Sequence, residues 1–157
     1  MNKEKLTTTS NKGVELIKKH EGFRSKAYKC PAGVWTIGYG HTLNVKNTDI
    51  INLVQGEYFL RQDLTHAENT VKKHLTRLSQ NQYDALVSFV FNVGSGNFQT
   101  STLLRKAKVN PNDEKIRYEF SRWNKAKVNG VLTPLLGLTR RRKDEADLYF
   151  SRDLCTE

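Results

Sequence analysis

The chain has 157 residues, 37% of them hydrophobic and 10% aromatic, which suits one domain or two small lobes sharing a core and excludes a disordered polymer. Lys and Arg number 26 against 16 Asp and Glu, a formal charge of +10, and the excess is even: thirteen basic and eight acidic residues fall in 1–100 and again in 101–157. A field of that kind favours a polyanionic partner such as nucleic acid, an anionic membrane or a bacterial wall polymer, with no separate basic tail to carry it.

Residues 1–20, "MNKEKLTTTSNKGVELIKKH", hold no apolar run of signal-peptide or anchor length, so neither an export signal nor a membrane anchor is expected. From Ser10 or Asn11, as cap, the spacing predicts a helix with Val14, Leu16 and Ile17 toward a core, ending near Gly22. Glu21 then sits at a helix C-terminus, where the dipole is unfavourable to a carboxylate.

Two short strands follow, Tyr28–Cys30 and Val34–Tyr39, joined by Pro31-Ala32-Gly33 with glycine where a positive φ is useful. If Cys30 pairs with Val34, then Thr36 lies two residues further on the same face, a diagonal neighbour roughly 7 Å from Cys30. Residues 43–54 complete a small antiparallel sheet or a loop. Leu60, Leu64, Ala67, Val71 and Leu75 keep a helical period, predicting one long helix over about 55–78 that connects two lobes.

Ser79 and Gln82 form a capping box before "YDALVSFVFNV", a helix apolar on most faces and stopped at Gly94-Ser95-Gly96. Further helices are predicted over Ser101–Lys108, Pro111–Trp123 and Pro134–Ser151, with Asn110 and Thr133 as caps before first-turn prolines. The fold class is therefore α+β: a small lobe over about 12–58 with a short antiparallel sheet, a connecting helix, and a mainly helical lobe over 79–157, with a cleft between the lobes.

Glu21, eight residues, Cys30, five residues, Thr36, then "IGYGHT" is a spacing with chemical content. Alone, each residue has a plain reading: a surface glutamate, a space-filling thiol, a threonine suited to a strand. Together they match the pattern of the phage-type lysozymes, glycoside hydrolase family twenty-four, typified by bacteriophage endolysins, in which glutamate is followed by aspartate or cysteine and then threonine at these intervals. "HEGFRSKAY", "VWTIGYGHT", "LRQDL", "FVFNVGSGNFQTSTLLRK", "SRW" and "GLTRRRKDEADL" continue the resemblance, in the same order, over nearly the whole chain from residue 12.

The resemblance implies a lysozyme fold and hydrolysis of the β-1,4 bond between N-acetylmuramic acid and N-acetylglucosamine in peptidoglycan. Glu21 would be the general acid, a role typically worth about 10²–10⁴-fold. Three roles stay open for Cys30: holding the attacking water with Thr36, attacking carbon itself, or filling space. A free thiol is only slightly ionised at neutral pH and makes a poor fixed counter-charge; the first role is preferred, because a hydroxyl beside a thiol can orient water on the face opposite Glu21 for a single, inverting displacement. The matching blocks suggest Thr42, Phe91 and Ser101 as substrate contacts. His41 is a candidate for orienting an acid, with Asp63 as its partner, though an ordinary structural histidine is the plainer reading.

No cofactor is implied and no metal site is readable, since His20, His41, His66 and His74 lack HExxH spacing and Cys30 and Cys155 lack CxxC. The two cysteines are expected to be thiols, although a bridge between them is not forbidden. Arg140-Arg141-Arg142-Lys143 reads as a solvated helix face, or as a grip on acidic stem peptides. A monomer is expected, waiting in the host cytoplasm and reaching the wall through a holin-type membrane partner. Against these stand a nucleic-acid binder, which the even charge disfavours, a cysteine hydrolase using Cys30 and His41, and an inactive wall-binding module.

Overall fold

The computed structural model describes residues 8–152; Cys155, and with it the question of a Cys30–Cys155 bridge, lies outside them. The described chain divides into two compact units, Ile17–Thr65 and the residues on either side of that segment.

Helix α1, Asn11–Glu21, buries Val14 and Ile17 completely and leaves Leu16 half-buried. Ser10 stands immediately before it, but its hydroxyl and amide both donate to Asp84, 74 residues away. Strands β1, Arg24–Lys29, and β2, Trp35–Gly38, form an antiparallel ribbon. Residues 41–52 add two isolated bridges, Ile37 to His41 and Lys26 to Ile50, before the Asn52–Gln55 capping box starts α2, Leu53–Asp63. Gly56 of α2 is there for contact: a Cβ would come within 2.7 Å of the Phe23 ring and 3.3 Å of Tyr39. These contacts lay α2 against the ribbon.

The single helix expected over 55–78 is instead two, α2 and α3, Thr65–His74, meeting at Leu64. Leu64 keeps right-handed helical angles (φ −71°, ψ −17°), so the apolar period survives the junction. Leu60, Leu64, Ala67, Val71 and Leu75 are all buried. Ser79 and Gln82 make the predicted capping box of α4, Gln80–Val93, and every residue from Asn81 to Val90 is buried. Gly94, at φ 90°, ends it.

Short helices α5, Ser95–Thr100, and α6, Thr102–Val109, follow. The helix predicted over Pro111–Trp123 is reduced to α7, Ile116–Ser121, because residues 110–115 make turns held by Asn110 and Asp113 side chains. Pro134 does not open a helix either. It ends β4, Val131–Pro134, which pairs with β3, Lys125–Val128, across an Asn129-Gly130 turn with both residues at positive φ (50° and 80°). Asn-Gly between short apolar runs is a strong hairpin signal, and it overrides the reading of 134 as a helix start.

The last helix, α8, is Leu136–Phe150 and packs along α4. Phe89 of α4 meets Phe98 of α5, Phe120 of α7 and Trp123 edge-on at centroid distances of 6.3, 5.4 and 5.9 Å. Each of the three fully buried phenylalanines contributes about 1.5–3 kcal/mol by leaving water. The basic run 140–143 is not a solvated face. Arg141 and Arg142 are 4% and 1% exposed and converge on the fully buried Glu145, while Arg140 and Lys143 point outward.

Candidate active site

Glu21, Cys30, Thr36, His41, Thr42 and Asp63 all belong to the Ile17–Thr65 unit, and local backbone chemistry explains each position. Glu21 is the last residue of α1. Lys18, Lys19 and His20 fill the turn before it, and the chain then reverses at Gly22, φ 72°, whose amide donates to the Lys18 carbonyl at 2.9 Å. Lys18 itself is paired with Glu57.

The motif Gly38-Tyr39-Gly40 is a turn. Ile37 and His41 exchange both backbone hydrogen bonds at 2.9 Å around it, and each glycine takes a left-handed angle, φ 63° and 89°. The second glycine matters twice, since a Cβ on Gly40 would sit 3.7 Å from Glu21 Oε2. The carboxylate therefore lies against a stretch of backbone that carries no side chain. Spacing gave no sign of this contact; the paired glycines were its only trace.

Cys30 opens the other turn. Its amide donates to the Val34 carbonyl at 3.0 Å, and Gly33, φ 78°, donates back to the Cys30 carbonyl at 2.8 Å. Tyr28 faces Thr36 and Lys29 faces Trp35, so Cys30 faces Val34 and Thr36 is its diagonal neighbour on one face of the ribbon. The one irregularity lies upstream, where β1 advances four residues from Arg24 to Tyr28 while β2 advances two, and it leaves this pairing intact.

Backbone hydrogen bonds at Val34 and Ala32 draw the Cys30 thiol below its ordinary pKa, and the Thr36 hydroxyl adds a smaller pull in the same direction. Thr36, 4% exposed, also donates from Oγ1 to the Val34 carbonyl at 3.0 Å. A hydroxyl has one proton, so it serves that carbonyl or an ionised sulfur in turn.

His41 is buried, with Nδ1 2.8 Å from Asp63 Oδ2, and its ring stacks on Phe59 at 4.3 Å between centroids and 8° between planes. Asp63 sits at the last turn of α2. No hydrogen bond joins His41 to Cys30, which removes the geometric basis for a cysteine–histidine pair. Thr42, next in sequence, is exposed.

Phe91 and Ser101 belong to the other unit. Phe91 is half-buried on α4, unlike the enclosed Phe89. Ser101 is buried, and its hydroxyl donates to the Phe98 carbonyl at 2.7 Å while accepting from Leu104 N at 3.1 Å. It is the cap of α6. It also borders a cavity of about 720 Å³ lined by Tyr118, Glu119, Trp123 and Asn124 among others. Among the described residues, no group of three or more His, Cys, Asp or Glu could hold a metal ion, and no helix is long and apolar enough to cross a membrane.

A half-buried carboxyl at a helix end stands beside a short ribbon, and the family comparison places this arrangement among the lysozyme-type glycoside hydrolases. The chain belongs to the phage lysozyme family, whose profile matches residues 18–145. It is 49% identical over 143 residues to an endolysin of Acyrthosiphon pisum secondary endosymbiont phage 1, covering 90% of this chain and 97% of that one. Among solved structures it resembles the muramidase domain of SpmX from Asticaccaulis excentricus, with a TM-score of 0.88, 36% identity, and coverage of 94% and 100%. A P22 lysozyme variant gives a TM-score of 0.81 at 32% identity, covering 93% and 100%.

Proposed function

We propose that the protein is an endolysin that cleaves the β-1,4 bond between N-acetylmuramic acid and N-acetylglucosamine, with Glu21 as general acid and Cys30 and Thr36 holding the attacking water. The observation that carries this reading is the shared face of Cys30 and Thr36 on the ribbon that follows Glu21. Glu21 protonates the glycosidic oxygen as the bond lengthens. Water held by a thiol and a hydroxyl attacks the anomeric carbon from the opposite side as the glycosidic bond breaks, gives inversion in one displacement, and releases its proton to bulk water while Glu21 is left ionised. Such an arrangement needs no covalent intermediate, and it explains how a thiol serves where most glycosidases place a second carboxylate. The His41–Asp63 pair supports it by fixing the end of the glycine turn against which Glu21 lies.

Thr42 and Phe91, exposed and half-exposed, have surface to offer a glycan. Ser101 acts on substrate through the helix it caps, because its hydroxyl is already used at both ends. The enzyme works as a monomer without cofactor, and a holin-type membrane partner gives it access to the wall. Reducing-end release from purified peptidoglycan by the wild type and Glu21→Gln tests the assignment, with proton NMR of the first-formed anomer. The amide variant is expected to lose about 10²–10⁴-fold. Parental speed in that variant would remove Glu21 from the chemistry, and a retained anomer would replace the water-holding role with direct attack.

A further inference from the structure

Apart from Lys125 and Leu132, which line the cavity beside Ser101, the β3–β4 hairpin has no part in the catalytic proposal. Its two strands pair with each other along their whole length, from Lys125 opposite Pro134 to Val128 opposite Val131. Its base is tied by the Leu135 amide to the Asn124 carbonyl at 2.9 Å, and neither strand packs extensively on any helix. A ribbon standing clear of the core has no need of apolar side chains. This one nonetheless exposes Val128 (43%), Val131 (65%) and Leu132 (61%), and Leu136 just beyond it (64%).

Charge marks the same place. No Asp or Glu occurs from Phe120 to Lys143, a stretch that includes Arg122, Lys125, Lys127 and Arg140. Lys125 and Lys127 are exposed on β3, so cations flank the two valines at the tip. The other concentration of exposed apolar residues, between Leu43 and Tyr58, is interrupted by Asp49 and Glu57 and belongs to the unit that carries Glu21. An apolar tip with a basic collar and no acid is complementary to a lipid bilayer bearing anionic headgroups: the valines enter the acyl boundary and the lysines meet phosphates.

We propose that the β3–β4 hairpin is an interfacial anchor for an anionic phospholipid membrane, docking Val128 and Val131 in the headgroup layer with Lys125 and Lys127 on the phosphates. Such docking would hold the enzyme at the bilayer surface without a transmembrane segment.

Sedimentation with vesicles of phosphatidylglycerol and phosphatidylcholine, against phosphatidylcholine alone, tests it. The wild type should co-sediment with the anionic vesicles, less so as salt is raised. Lys127→Glu should lower the partition coefficient at least about fivefold, and Val128→Ser/Val131→Ser by about tenfold. Lys73→Glu, an equal charge change on α3, should have a clearly smaller effect. Cleavage of purified peptidoglycan and far-UV circular dichroism should be unchanged in all three, because these side chains touch neither the Glu21 site nor the core. Equal partitioning of the wild type and the hairpin variants overturns the proposal. So does a loss confined to purified peptidoglycan, which would make the hairpin a wall-binding element.

Discussion

Arg142 Nε lies 2.7 Å from Glu145 Oε1, and neither side chain reaches solvent. Arg141 approaches the other carboxylate oxygen at 3.4 Å, and the Ser88 hydroxyl donates to that same oxygen at 2.6 Å. Burial pushes the Glu145 carboxyl up from its ordinary pKa, while Arg142, Arg141 and Ser88 pull it back. The cluster joins α8 to α4 at the centre of its unit, so it is a structural tie. Glu145→Ala takes the buried carboxylate away from the enclosed Arg142 guanidinium and should cost about 3–5 kcal/mol of stability by urea denaturation. Arg140→Ala, on the exposed side of the same run, should stay within about 0.5 kcal/mol.

Replacing the thiol separates a chemical part from mere space-filling. Cys30→Asp restores an acceptor able to hold water and should retain much of the wild-type reducing-end release. Cys30→Ala should lose a large part. Full activity in the alanine variant would leave Cys30 no chemical part.

The environment of that sulfur is measurable by itself. Hydrogen bonds from Val34 and Ala32 favour the thiolate, so iodoacetamide should modify Cys30 with a pH midpoint below that of a free thiol in the same buffer. Thr36→Val should move the midpoint up by a small amount, because the backbone supplies the larger share.

At Gly40 the same atom position matters to fold and site. Alanine there must hold φ near 89° and place a methyl 3.7 Å from Glu21 Oε2. We expect about 1–2 kcal/mol of destabilisation together with reduced turnover. Gly96→Ala, in α5 with open space around it, should be neutral or stabilising by about 0.4–1 kcal/mol, with turnover unchanged.

Acid should weaken the fold in a defined window. Lys18 and then Arg61 hold the Glu57 carboxyl below its ordinary pKa, and Lys143 and Arg117 do the same for Asp147. A depressed folded-state pKa means stability present above the unfolded value and lost as pH falls through the folded one. The loss begins near the ordinary carboxylate value of about 4 and continues below it. Both groups are more than a third exposed, so each contributes no more than about 1 kcal/mol. Tm measured against pH should show this slope, and Asp147→Asn should flatten it.

Helix existence was legible where apolar spacing and caps agreed, as in α1, α4 and α6. The Cys30–Thr36 diagonal was legible too, because strand parity is set by the turn between them. Three features were not. The 55–78 pattern keeps its period through Leu64, so spacing alone cannot reveal a junction there. Pro111 and Pro134 fit a helical first turn as well as they fit a turn or a strand end, and the choice fell to Asn110, Asp113 and the Asn129-Gly130 pair. The run at 140–143 looked solvated because four adjacent cations rarely enter a core, and only Glu145 and Ser88, brought together by packing, make two of them interior.

Two long-range ties near the start of the described residues bear on synthesis. Thr9 bonds Glu68 through both its amide and its hydroxyl, across 59 residues, and Ser10 bonds Asp84 across 74. As the polypeptide leaves the ribosome, Thr9 and Ser10 cannot make these bonds until those two acids have emerged. The contiguous stretch from Ile17 to Thr65 faces no such delay and is free to assemble first.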